Sequence, residues 1–339
     1  MHDIYIHFEA SKTLGLGHAV RCLNLAREYF ANGYKINLLI SEETANTIKN
    51  ILPAKINIIA FNPATDDAEA ISFSSQAIFI YDNYDLDATF SKQLRPYVGK
   101  ILAIDDLANR KHDCDYLLDQ TVGSTSERYK NLVPQNCKML LGPDFALLDP
   151  SYALAREAQI QRLQSVAQNK KKVVITMGGT DPNNVTTLLL KHLPKVNNIS
   201  SFEIIVGGSN PHLEDIKKSA NQNPNKVNLH HNVSPLTQLM CQCDIAIGAG
   251  GVSALERCVL GLPSLMVEIA DNQHYMINEI ERAGAGINLG KPDQITETAL
   301  TNAIQQITDE NTFKKTSKAA SALCNGKGVQ RTIQTLTEC

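Results

Sequence analysis

Four short stretches of the chain carry residue types that could do chemistry. The first is Gly15-Leu16-Gly17-His18, between an apolar run and a helix-period segment. Two glycines at such a turn let backbone approach a ligand closely, and the helix start offers unsatisfied amide donors. A histidine in the first helical turn feels the positive end of the macrodipole, which favours its neutral form. A neutral imidazole can take a proton from water, so His18 is a candidate general base. The plainer alternative is a histidine that packs or caps the helix start. The run is not the dinucleotide fingerprint, because its third glycine is missing and no acid follows at the expected distance.

The second stretch is Met177-Gly178-Gly179-Thr180-Asp181-Pro182. Asp181 before Pro182 reads as an N-cap followed by a first-turn proline, while Gly178 and Gly179 leave room for a substrate. The third is Gly248-Ala249-Gly250-Gly251-Val252-Ser253-Ala254-Leu255-Glu256, a glycine turn with the amides of a phosphate cradle. Glu256, one turn into the helix, can accept from both hydroxyls of a ribose. Ser253 and Glu256 also spell a capping box, which is the structural alternative. The fourth is Asp271-Asn272-Gln273-His274, whose neutral amides either cap a helix or reach sugar hydroxyl and acetamido groups.

The elements that must position these residues follow from the apolar pattern. Short apolar runs alternate with helix-period segments throughout, the signature of a parallel sheet with crossover helices. Strands are expected in the first half at 4–8, 35–40, 57–60, 77–81, 100–104 and 116–118. In the second half they are expected at 173–176, 202–206, 226–229, 244–247, 264–267 and 286–288. A helix is expected over 19–31, where Ala19, Leu23, Ala26 and Phe30 recur at three- and four-residue steps. The proline-containing run 142–151 marks a domain crossing, followed by a helix over 152–169. The fold class is therefore α/β, with two Rossmann-like domains facing across a cleft. The N-terminal domain spans 1–150 and carries His18. The C-terminal domain spans 151–339, its last helix near 328–336 packing back on the first. Ligands in open α/β sheets bind at the carboxyl ends of the strands.

Bulk properties narrow the class. A chain of 339 residues exceeds one ordinary core. A net charge of −3 argues against a nucleic-acid partner, which needs a basic face. The eight cysteines form no Cys-x-x-Cys pair, which reads as reduced thiols in a cytoplasmic protein. Cys241, Cys243, His230 and His231 fit no zinc spacing, so no metal is expected. No apolar run approaches the length of a membrane span, and the N-terminus reads as a strand.

Together the four stretches resemble the GT-B nucleotide-sugar enzymes, and the C-terminal block is similar to that of the lipid II N-acetylglucosaminyltransferase. The nearer resemblance is to the UDP-2,4-diacetamido-2,4,6-trideoxy-β-L-altropyranose hydrolase family of pseudaminic acid biosynthesis and the related spore-coat polysaccharide proteins. It is carried by Gly15-Leu16-Gly17-His18-Ala19-Val20-Arg21-Cys22, Asp105-Asp106-Leu107-Ala108, Leu141-Gly142-Pro143, Met177 to Pro182 and Asp271-Asn272-Gln273, in that order. The resemblance implies hydrolysis of a UDP-linked diacetamido sugar at the anomeric C–O bond, releasing UDP, with no cofactor. It implies that His18 activates or orients water, and that Asn272 and a tyrosine of the Tyr81-Asp82-Asn83-Tyr84 segment, Tyr84 before Tyr81, position the sugar. It further implies that Glu256 takes the ribose and that Gly250, Gly251, Val252 and Ser253 take the diphosphate. The loop His231-Asn232-Val233 would lie near the uracil through backbone groups, and Gly15, Gly17, Arg21, Gly178, Gly179, Thr180 and Gln273 would complete the substrate site. The chain departs from that family where His7 and Glu9 stand in place of Arg and Asp. A GT-B glycosyltransferase using a UDP-activated amino sugar is the alternative, followed by a UDP-sugar 2-epimerase and a non-catalytic nucleotide-sugar sensor.

Overall fold

The computed structural model describes residues 3–11, 14–66, 69, 71–74, 76–166, 170–193, 198–222 and 226–338. Among them thirteen strands form two wholly parallel sheets. The first sheet holds β1 (Asp3–Phe8), β2 (Lys35–Ile40), β3 (Asn57–Ala60), β4 (Ile78–Asp82), β5 (Lys100–Ile104), β6 (Tyr116–Asp119) and β7 (Lys138–Leu141). Its order is β3-β2-β1-β4-β5-β6-β7. The second holds β8 (Lys171–Thr176), β9 (Ile199–Val206), β10 (Val227–His231), β11 (Ile245–Ala249), β12 (Ser264–Val267) and β13 (Gly286–Asn288). Its order is β10-β9-β8-β11-β12-β13. Both are the doubly wound Rossmann order.

Strands covered on both faces read as continuous apolar runs, and the central ones do so here. Every residue of β4 and of β11 is buried. This is why the expected strands fall on observed ones. The exception is β7, whose Lys138-Met139-Leu140-Leu141 offers too short an apolar run to stand out from a loop.

The chain divides into two compact units. Unit 1 comprises Met1–Leu148 with Lys327–Cys339, and unit 2 comprises Asp149–Gly326. The crossing at Asp149 has a local cause. Asp149 accepts from the Ser151 amide at 2.9 Å and Pro150 occupies the first turn, so a helix starts at once and runs over Pro150–Gln164. Residues 167–169 of the longer helix expected there lie outside the described residues. In unit 1 the terminal helix Gly328–Thr337 joins the core through Val329, Ile333 and Leu336. A side chain at Gly328 would collide with the backbone of Ala146.

The helix Gly17–Ala31 buries Ala19, Cys22, Leu23, Leu25, Ala26 and Tyr29 in that core. Phe30, expected on this face, is 43% exposed. Tyr29 takes its place, one hundred degrees back around the helix. No helix among the described residues is long and apolar enough to cross a membrane.

In each sheet the winding direction reverses beside its first strand: between β1 and β4 in unit 1, and between β8 and β11 in unit 2. The crevice at such a reversal, at the strands' carboxyl ends, is where open α/β sheets hold ligands. The His18 turn follows β1, and Asp82 ends β4 with Asn83 and Tyr84 just beyond it. Met177–Thr180 follows β8 and Gly250–Gly251 follows β11.

Candidate functional site

In unit 1 the turn after β1 closes on itself, with the Gly15 amide donating to the Ser11 carbonyl at 2.9 Å. Gly15 has φ +79°, where a side chain is strained, and neither Gly15 nor Gly17 has a neighbour where a Cβ would stand. The helix Gly17–Ala31 begins without a side-chain cap, so His18 at its second position does not serve as one.

The His18 ring is held instead by Asp82, the last residue of β4, with Nδ1 2.7 Å from Oδ1. Arg21 Nη2 also lies 3.2 Å from Nδ1. A guanidinium only donates, so both contacts cannot be hydrogen bonds at once. A deprotonated Nδ1 would face the Asp82 carboxylate lone pair to lone pair at 2.7 Å. The consistent arrangement has Nδ1–H donating to Asp82. Among the described residues both polar contacts of His18 fall on Nδ1, and Nε2 is the nitrogen left to take a proton.

Asp82 is fully buried. Its oxygens also accept from Arg21 Nε at 2.5 Å and Nη2 at 2.6 Å. Burial alone raises its pKa, but Arg21 and then His18 outweigh burial and hold the carboxyl well below the usual carboxylate range. Arg21, expected at the substrate, is only 3% exposed and spends its fork inside the protein. Its Nη1 donates to Asp106 Oδ2 at 3.0 Å. Asp106, just beyond β5, accepts on its other oxygen from the Tyr84 hydroxyl at 2.8 Å. The rings of Tyr84 and His18 meet edge to face at 4.6 Å. Tyr84 and His18 are thus brought together.

The two departures from the resembled family both point inward. His7 is buried, its Nδ1 2.8 Å from the Leu39 carbonyl and its Nε2 3.2 Å from the Asn83 amide nitrogen. Glu9 accepts from Ser41 at 2.9 Å and Thr44 at 2.5 Å, bracing the turn after β1.

In unit 2 the two glycines after β11 differ. A Cβ on Gly250 would collide with Ile277 of the helix His274–Arg282. The Gly250 amide donates to Gln273 Oε1 at 3.1 Å. Gly250 is therefore required by packing, and its amide is not available to a phosphate while that bond stands. Gln273 also accepts from the Ile269 amide at 3.2 Å, so it ties the turns after β11 and β12 together. Gly251 is the open position, and it is the N-cap of Val252–Val259 without any side-chain cap.

The capping box does not form. Ser253 is the second helical residue and accepts from Arg257 Nη1 at 3.2 Å. Glu256 interacts with the Tyr152 hydroxyl, and burial pushes its carboxyl up to about 7. Arg257 is fully buried against Ser264, Ser253 and the Ala249 carbonyl. Burial draws its pKa down to about 10.

After β8, Gly178 has φ +80° and an open side, whereas Gly179 is packed against Gly207. Thr180 is half-buried. Asp181 is not the N-cap. The helix starts at Val185, and Asp181 reaches its first amides from outside, Val185 N at 2.8 Å and Thr186 N at 2.9 Å. Asn272 is exposed in the short turn Asp271–Gln273, and Val233 is exposed beyond the edge strand β10.

The residues missed from sequence are Asp82 and Arg257, along with any role for Asp106. A charge ending the apolar run Ile78-Phe79-Ile80-Tyr81 was the available signal for Asp82.

Residues 172–336 match the family model described as the glycosyltransferase family 28 C-terminal domain. Over 333 residues the chain is 22% identical to the spore coat polysaccharide biosynthesis protein SpsG of Bacillus subtilis (strain 168), covering 96% of this chain and 94% of that one. Over 226 residues it is 28% identical to the UDP-2,4-diacetamido-2,4,6-trideoxy-beta-L-altropyranose hydrolase of Campylobacter jejuni, covering 66% and 74%. Its fold is similar to the crystal structure of Acinetobacter baumannii MurG, with a TM-score of 0.68 at 12% identity over 99% of this chain and 100% of that one. The architecture is two Rossmann-like domains of the GT-B type.

Proposed function

We propose that this GT-B-fold protein, whose second half matches a glycosyltransferase family 28 C-terminal domain, is a nucleotide-sugar hydrolase. It cleaves the anomeric C–O bond of a UDP-linked 2,4-diacetamido-2,4,6-trideoxy sugar and belongs to the pseudaminic acid pathway. The observation that carries the reading is the His18–Asp82 pair. A buried carboxylate fixes Nδ1–H, which leaves Nε2 as a base at an open glycine turn on the β1/β4 reversal.

In this reaction a water oxygen attacks the anomeric carbon and its proton passes to His18 Nε2. The bond to the β-phosphate oxygen breaks, and its electron pair leaves on UDP. Imidazolium formed at His18 is stabilised by ionised Asp82. Tyr84 and Asn272 position the sugar. Unit 2 holds UDP through Gly251, Val252 and Ser253 at the helix start, with Glu256 on the ribose, Gly178 and Thr180 beside the diphosphate and Val233 beside the uracil. Amides and a helix dipole make UDP a sufficient leaving group, so no cofactor enters the reading.

The test is proton NMR of the purified protein with the UDP-linked diacetamido-trideoxy-altrose. Stoichiometric release of free sugar and UDP is the expected result. Intact substrate with UDP still binding would reject it. The family 28 match favours a glycosyltransferase as the second reading. Sugar transfer to an added acceptor in place of release would establish that one.

A further inference from the structure

His18 and Tyr84 come from different turns of unit 1 and are held by different carboxylates, Asp82 and Asp106. The Arg21 side chain touches both. Arg21 places Nε and Nη2 on Asp82 and Nη1 on Asp106. We infer that Arg21 is a positioning residue shared by His18 and Tyr84, whose rigid fork sets the base and the tyrosine in one geometry. The inference rests on the proposed function only for what those two side chains do to a substrate.

Three features carry it. Arg21 is 3% exposed, so it acts through its neighbours and not on a ligand. Its donors lie in one plane at fixed angles, so seating two carboxylates on them fixes the carboxylates relative to each other. The contacts close into a ring, because the His18 and Tyr84 rings meet at 4.6 Å. Nearby are Cys22 Sγ at 3.7 Å from Asp82, Arg128 Nη2 at 3.1 Å from the Asp106 carbonyl and Arg110 at 5.8 Å from the Tyr84 ring. None of these reaches both carboxylate groups.

The test reads both arms without substrate. Ring nitrogens of 15N-histidine report the His18 tautomer, and 13Cζ-tyrosine reports hydrogen bonding of the Tyr84 hydroxyl, each assigned by its own deletion variant. Asp82→Asn is expected to move chiefly the His18 signals and Asp106→Asn chiefly the Tyr84 signal. Arg21→Lys keeps the charge and loses the fork, and it is expected to move both. If Arg21→Lys moves one signal and not the other, the shared role is overturned. Should that variant not fold, the native protein decides through 15N-arginine. Separate, slowly exchanging Nη1 and Nη2 signals for Arg21 support the fork, and one averaged signal rejects it. With substrate, Arg21→Lys is expected to lower kcat roughly 10²-fold with KM unchanged. The expected NMR pattern without any turnover would reject the hydrolase reading and leave the positioning role standing.

Discussion

At the scale of single residues, two carboxylates are displaced in opposite directions. Asp82 is held low by Arg21 and His18 against its burial. Its contribution to stability is full above the unfolded carboxylate value and is lost as pH falls below that value. Glu256 is pushed by burial from 4.5 to about 7. Between those values the folded state keeps a proton that the unfolded state has released, so stability falls as pH rises, by up to about 1.4 kcal/mol per pH unit. Denaturant unfolding at pH 5 and pH 8 should show that loss in the native protein and not in Glu256→Gln. A ribose whose hydroxyls donate to this carboxylate favours its ionised form. UDP binding near pH 6.5 should then release a proton, seen by calorimetry in buffers of different ionisation enthalpy. Binding without proton release would detach Glu256 from the ribose. For His18, substitution by Ala should abolish turnover and leave UDP affinity unchanged. Asp82→Asn should lower kcat by about 10²–10⁴-fold and also reduce stability, because Arg21 stays buried with weaker compensation. Equal turnover in Asp82→Asn and native protein would leave His18 without its orienting partner.

At the scale of elements, the turn after β11 separates packing from binding within two consecutive glycines. Gly250→Ala drives a methyl into Ile277 and should destabilise unit 2 by about 1–3 kcal/mol. Gly251→Ala meets nothing closer than Gln273 Nε2 at 3.7 Å, so it should leave the melting temperature near native and weaken UDP binding. Thermal unfolding and titration of the two variants side by side make the comparison. Similar losses of stability in both would mean that Gly251, too, is there for packing. This division was not legible in the sequence, where Gly250 and Gly251 are equivalent letters, because it depends on how the helix His274–Arg282 crosses the turn. The strands were legible because burial on both faces leaves an unbroken apolar run, as in Ile78-Phe79-Ile80-Tyr81. Helix starts were less so. Asp181-Pro182 has the composition of a start and lies before one, since a carboxylate can reach the first amides from outside the helix. The His18–Asp82 pair was hidden for a different reason. It requires that β4 lie beside β1, and alternation of runs says nothing about strand order.

At the scale of the whole molecule, the chain leaves unit 1 at Leu148 and returns to it at Lys327. The return consists of one short helix, and its attachments to unit 1 are specific. Val329, Ile333 and Leu336 enter the core beside the helix that carries His18, and the Leu336 carbonyl accepts from Lys100 Nζ at 2.7 Å. Arg331 reaches Asp144 at 3.2 Å. Three buried aliphatic side chains are worth about 1.5–3 kcal/mol each by burial, a large fraction of the stability of a domain this size. Deleting 327–339 should therefore lower the unfolding transition of unit 1 and disorder the His18 turn through the shared core. The nucleotide residues assigned to unit 2 lie outside that core, and this makes the two units separable by ligand. UDP at a hundredfold excess over its Kd should stabilise unit 2 by about 2.7 kcal/mol in the full chain and by the same amount after truncation. Calorimetric scans of both proteins, each with and without UDP, would show a lowered first transition and an unchanged UDP shift of the second. If truncation removed the UDP shift, the terminal helix would be part of the nucleotide site, and the assignment of UDP to unit 2 alone would have to be abandoned.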